Sequence, residues 1–245
     1  MLNKFMLSRE SLEKFTKLYQ ADIENVAREY CQHLFLSFLY QQPDSERLLF
    51  KGGTALRLLF KSPRFSEDLD FTGTGIIQKT VEELFANTLL EIERTGMRVE
   101  IAEAKKTTGG YLGIATFFLY DFKIKIQIEV SLRQGKRLKG TRTLVYSEYL
   151  PAYTVVHLPV EDMIGGKLQA LFNRAKPRDF YDYYFLLSRN SPVVKEKKNL
   201  EIVLKLVQDS NINFKTELKK LLPVSHQLIL KDFKKTLTRE IKKYL

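Results

Sequence analysis

The chain has 245 residues, 44% of them hydrophobic, enough for one substantial core or two small ones. A single cysteine, Cys31, rules out an internal disulfide framework, and histidines at 33, 157 and 226 lack any zinc-ligand spacing, which sets aside zinc chemistry and Cys–His catalysis. The net charge of +11 is unevenly spread: residues 141–245 carry 19 basic and 11 acidic side chains, against 21 and 18 in residues 1–140. Such a bias attracts polyanions, with nucleic acid the ordinary candidate and plain solubility the alternative.

The N-terminal MLNKFMLSRESLEKF is interrupted by charges before any apolar stretch develops, and no run approaches about eighteen apolar residues. A soluble, cytoplasmic protein without a signal peptide or membrane partner is expected. Residues 8–40 read as helical, with Ile23, Val26, Ala27, Tyr30 and Leu34 at helical spacing, broken by Gln41-Gln42-Pro43-Asp44. Cys31 and His33 fall within this run and read as structural.

The apolar run Leu48, Leu49, Phe50 then ends at Gly52-Gly53, followed by Thr54 and a helical stretch over 55–61. Two glycines let the backbone approach a bound group closely. Thr54 is placed to cap the helix, whose positive end would face an anion such as phosphate. Asp68-Leu69-Asp70-Phe71 alternates polar and apolar, so on a strand both carboxylates share one face. Neighbouring like charges are tolerated when a divalent cation lies between them, and such oxygen ligands suit Mg²⁺ or Mn²⁺. Either half alone is as common as a surface turn or a solvated strand; together they suit a nucleoside triphosphate and its metals.

A helix over about 80–95, closed by Gly96, precedes extended segments at 98–103, 113–120 and 122–132. In the last, Phe122, Ile124, Ile126, Ile128 and Val130 take one face; Lys123, Lys125, Gln127, Glu129 and Ser131 take the other. The basic stretch 134–142, QGKRLKGTR, reads as a mobile loop able to grip a phosphate backbone. A strand at 153–158 leads into helices at 160–175, 177–188, 200–208, 214–222 and 225–244. The final helix would set Lys231, Lys234, Lys235, Arg239, Lys242 and Lys243 in a basic stripe opposite Leu228, Phe233 and Ile241. Lys167 lies near the edge of the apolar stripe of Met163, Ile164, Leu168, Leu171 and Phe172. Arg178 and Asp182 are spaced as an i,i+4 pair, and Asp179 follows Pro177 in a first helical turn, where any acid is favoured.

The segment Lys51-Gly52-Gly53-Thr54-Ala55-Leu56-Arg57, followed by Arg64-Phe65-Ser66-Glu67-Asp68-x-Asp70-Phe71, resembles the signature of nucleotidyltransferase-fold toxins of the AbiEii/AbiGii type, from type IV toxin–antitoxin and abortive-infection systems. A second block over 161–187 resembles the later landmark of that family through Lys167, Arg174, Arg178, Asp179 and Asp182. The resemblance implies an α+β fold: a polymerase-β-like nucleotidyltransferase domain over 1–150, with a mixed sheet and flanking helices, and a helical C-terminal lobe over 151–245. It implies transfer of a nucleoside monophosphate from an NTP to an acceptor hydroxyl, with release of pyrophosphate. Asp68 and Asp70 would hold Mg²⁺ or Mn²⁺, with Glu129 as third carboxylate and Asp121 in reserve; solvated-strand pairing with Lys125 or Arg133 is the plain alternative for Glu129. Gly52, Gly53 and Thr54 would cradle phosphate, while Arg57 either approaches the triphosphate or pairs with Glu67. Lys167 would contact the nucleotide, and Asp179 and Asp182 resemble late functional aspartates. The implied acceptor is the 3′ end of tRNA, which would inhibit translation and growth, and a cognate antitoxin is implied as partner. The alternatives are AMP transfer to a protein hydroxyl and a non-catalytic RNA- or partner-binding module, the latter opposed by intact Asp68, Asp70 and Gly52-Gly53.

Overall fold

A computed structural model describes residues 6–132 and 138–245. The chain divides into two units, Met1–Lys61 with Phe65–Pro159, and Ser62–Arg64 with Val160–Leu245.

The first unit opens with α1 (Arg9–Tyr19) and α2 (Ile23–Leu39). The helical stretch expected over 8–40 is these two helices, divided where Gln20 turns left-handed at φ 49° and the Asp22 side chain accepts from the Glu24 N–H to cap the second. There follow β1 (Leu48–Lys51), α3 (Gly52–Phe60), β2 (Leu69–Gly73), α4 (Gln78–Arg94), β3 (Val99–Thr107), β4 (Gly110–Leu119), β5 (Phe122–Leu132), β6 (Thr141–Val145) and β7 (Tyr153–His157). Among the described residues they form a seven-stranded sheet in the order β3-β4-β5-β2-β1-β7-β6. Pairs β2–β5 and β1–β7 are parallel and the rest antiparallel, so the sheet is mixed as expected. Strand β6 was not anticipated. Of the basic segment 134–142, residues 134–137 lie outside the described residues, and Thr141 and Arg142 open β6 instead of belonging to a loop.

The alternation of β5 sorts as read. Ile124, Ile126, Ile128 and Val130 are buried with Leu69 and Phe71 of β2, whereas Lys123, Lys125 and Glu129 are exposed on the other face. Each fully buried aliphatic or aromatic side chain contributes about 1.5–3 kcal/mol, so this face anchors the strand carrying the carboxylates. Helices α2 and α4 close on each other through Phe35 and Phe85, whose ring centroids are 6.2 Å apart.

Cys31 and His33 are structural, as read. Burial pushes the Cys31 thiol up, away from a reactive thiolate, and His33 Nδ1 lies 2.7 Å from the Tyr153 hydroxyl. Burial lowers the His33 pKa to about 4, so the folded state holds a neutral ring while the unfolded chain protonates near 6.5. Its contribution to stability is therefore complete above pH 6.5 and is lost as pH falls toward 4. Thermal melts across that window should show a declining midpoint, and His33→Gln should flatten the decline.

The second unit contains α5 (Val160–Arg174), α6 (Pro177–Ser188), α7 (Lys197–Asp209), α8 (Phe214–Leu221) and α9 (Phe233–Lys242). Rings of Phe180, Phe214, Phe233 and Tyr181 form its centre, with centroids 5.0–5.9 Å apart. The continuous helix expected over 225–244 is instead a 3₁₀ segment, Val224–Lys231, and α9, separated at Asp232. Leu228 consequently falls outside the apolar stripe and is 70% exposed, while Leu237 joins Phe233 and Ile241 inside. Among the described residues no helix is long and apolar enough to cross a membrane.

Candidate active site

In the first unit the chain passes from β1 directly into α3, with Lys51 in the cap position and Gly52 at φ +88°. Glycine alone takes this turn without strain, and the helix therefore starts two residues before Thr54. Thr54 does not cap it. Its buried hydroxyl donates to the Asp68 carbonyl, fixing the approach to β2. A Cβ on Gly52 would collide with Asp70 Oδ2 and lie 2.8 Å and 2.9 Å from Asp70 Cγ and Cβ, so backbone and carboxylate are packed face to face.

Pairing supplies what alternation could not. Asp70 is opposite Glu129 on parallel β5 and opposite Lys51 on antiparallel β1. Residues so aligned share a face, on strands about 4.8 Å apart. Asp68, half-buried, directly precedes β2. Glu129 is exposed and accepts from Gln127 Nε2. Among the described residues no three His, Cys, Asp or Glu side chains stand together as a metal-holding group. The donor chemistry, carboxylate oxygens on adjacent strands, nevertheless fits a hard divalent cation at Asp68 and Asp70, with Glu129 in register to join. The reserve candidate Asp121 lies in the β4–β5 turn, about 26 Å along β5 from Glu129 at strand rise, where it pairs with Arg9 at 3.1 Å. Lys51, quoted in the motif but given no role, sits among the acids, with Nζ 3.2 Å from Ser131 Oγ. Its signal was the strand alternation that carries it onto the face of Asp70.

Arg57 is paired with the buried carboxylate of Glu29 and stacks over Phe65, its guanidinium carbon 3.6 Å from the ring centroid. Tyr149 donates to the same carboxylate at 3.1 Å. The partner envisaged from sequence, Glu67, is exposed.

In the second unit Asp179 is buried and accepts from Arg174 Nε and Nη2, at 2.9 Å and 2.7 Å, and from the Lys176 backbone N–H at 3.1 Å. This is a helix-start arrangement with Pro177 in the first turn of α6. Asp182 accepts from Arg64 and Lys167. Arg178, expected to pair with Asp182, instead lies 3.4 Å from Glu217.

A mixed sheet that packs a glycine turn against one of two strand carboxylates, followed by a helical unit, defines the class: a polymerase-β-like nucleotidyltransferase fold. The chain belongs to the AbiEii family, the nucleotidyl transferase toxins of type IV toxin–antitoxin systems, whose family model matches residues 34–245. It is thus a nucleotidyltransferase of toxin type. The crystal structure of JHP933 from Helicobacter pylori superposes with a TM-score of 0.55 at 21% identity, covering 91% of this chain and 93% of that one. A second H. pylori crystal structure, provisionally described as a nucleotidyltransferase, gives 0.53 at 20% identity, covering 97% and 96%. At these identities the likeness establishes the fold. No curated protein matches the chain.

Proposed function

We propose that the toxin transfers a nucleoside monophosphate from an NTP to the 3′ hydroxyl of tRNA, which would block translation and growth. The observation that carries the chemistry is the register of Asp70 beside Glu129, with Gly52 packed against Asp70. Mg²⁺ or Mn²⁺, held by Asp68 and Asp70, would lower the pKa of the attacking hydroxyl and neutralise the triphosphate. The bond from the 3′ oxygen to the α-phosphorus forms as the α–β bridge breaks; pyrophosphate leaves with the electron pair and the hydroxyl proton passes to solvent. Gly52 and Gly53 offer backbone N–H groups at the positive end of α3 to phosphate oxygens. Lys51 adds a cation on the face of Asp70, and Lys167 is assigned to the nucleotide phosphates. A cognate antitoxin belongs to the same reading, as the system type implies.

RNA as acceptor is supported by a cavity of about 740 Å³ beside α9 and the start of α8. Lys215, Lys231, Lys234, Lys235, Arg239 and Lys242 line it, against one acid, Asp232. Lys234 donates to the Gln208 and Ser210 carbonyls, which leaves Lys231 and Lys242 the better probes. Lys231→Glu/Lys242→Glu should weaken tRNA binding and lower its salt slope by about two, one per phosphate contact, without moving the thermal midpoint.

The deciding experiment incubates the protein with Mg²⁺, total tRNA and each α-labelled NTP in turn, then resolves RNA and protein on gels. Label on tRNA supports the proposal and names the base. Label on protein replaces it with protein nucleotidylation.

A further inference from the structure

Among the described residues, one buried carboxylate of the second unit, Asp182, is held by two cations. Arg64 grips Asp182 in a fork, Nε to Oδ1 at 2.8 Å and Nη2 to Oδ2 at 3.0 Å, and Lys167 Nζ reaches the same Oδ2 at 2.8 Å. Two cations thus share one carboxylate. The side chains of Arg64 and Asp182 are 3% and 1% exposed, so neither is placed to touch a ligand; Lys167, at 14%, is the member that reaches the surface. The nearby acids Glu217 and Asp179 have their own cations, Arg178 and Arg174.

We infer that Arg64 is a positioning residue acting through Lys167: by offsetting Asp182, it leaves the Lys167 ammonium anchored yet still cationic toward a phosphate. Without Arg64, Asp182 and Lys167 would cancel, and an anion would meet a neutral pair where low dielectric makes each charge count heavily. The carboxylate is charged at working pH: burial raises the Asp182 pKa, but Arg64 and then Lys167 outweigh this and hold it at about 2. Space is available on the same helix, since a Cβ at Gly165 or Gly166 would meet nothing within 4 Å.

The inference rests on the phosphate role proposed for Lys167, and calorimetric titration with inorganic triphosphate in metal-free buffer separates the two. Lys167→Met should weaken triphosphate binding; unchanged binding overturns the role of Lys167 and this inference with it. Arg64→Met should weaken it about tenfold, the equivalent of one lost favourable charge contact. Arg64→Met/Asp182→Asn should restore wild-type affinity, because the uncompensated carboxylate is gone and the Asn oxygen still anchors Lys167. Thermal midpoints taken alongside identify a merely structural Arg64, whose loss would lower stability without weakening triphosphate binding by the folded protein, and a double variant as weak as Arg64→Met overturns the inference. If Arg64→Met fails to fold, the double variant decides alone, since paired neutral replacements of a buried ion pair are well tolerated. Wild-type affinity then supports the inference, and a loss equal to that of Lys167→Met overturns it.

Discussion

Asp70→Ala should reduce nucleotidyl transfer by at least about a thousandfold, the scale of losing several kcal/mol of charge stabilisation at a divalent-cation site. The fold should survive. Asp70 is only half-buried, and β2 is held by Leu69 and Phe71, both fully buried on the opposite face. The thermal midpoint in the absence of cation should therefore hold. Measurement pairs label transfer with a melt with and without Mg²⁺: wild type gains stability from the cation by mass action and the variant does not. A fully active Asp70→Ala protein would remove the carboxylate from the chemistry.

Both halves of this site were legible in the sequence because each is local. A Gly-Gly turn after an apolar run and an Asp-x-Asp alternation declare themselves within a few residues, and the same alternation told which β5 side chains face Glu129's side. What stayed hidden is long-range. Alternation says which face a residue takes but not which strand lies beside it, so the alignment of Asp70 with Glu129 and Lys51 came only with pairing. The same limit applies to charges. Arg178 was the nearest cation to Asp182 along the helix, yet Asp182 is held by Arg64, 118 residues away in the chain. Local chemistry was overridden at Thr54 as well: a good cap residue on composition, it was displaced because the positive φ of Gly52 started the helix earlier. Asp232, by contrast, is a break within a run whose helical period was strong enough to mask it.

Gly52→Ala should be the most damaging change that removes no functional group. Two costs are separable. An alanine at φ +88° carries a backbone penalty of about 1–2 kcal/mol, and its Cβ would occupy the space of the Asp70 carboxylate. The second cost cannot be relieved without moving either β2 or the start of α3, which displaces the carboxylate from the N–H groups proposed to receive phosphate. Misplacement by about 1 Å is enough to slow a positioned reaction about a hundredfold, so transfer should fall at least that far. A double-mutant cycle distinguishes the causes. In the Asp70→Ala background the clashes with the carboxylate are gone, leaving the backbone penalty and the 2.9 Å approach to the residue-70 Cβ, so the stability loss from Gly52→Ala should shrink, giving a coupling within about 0.5–3 kcal/mol as expected for residues in contact. Strict additivity in chemical denaturation would mean that Gly52 is required for its turn alone, and that its packing against Asp70 has no energetic weight.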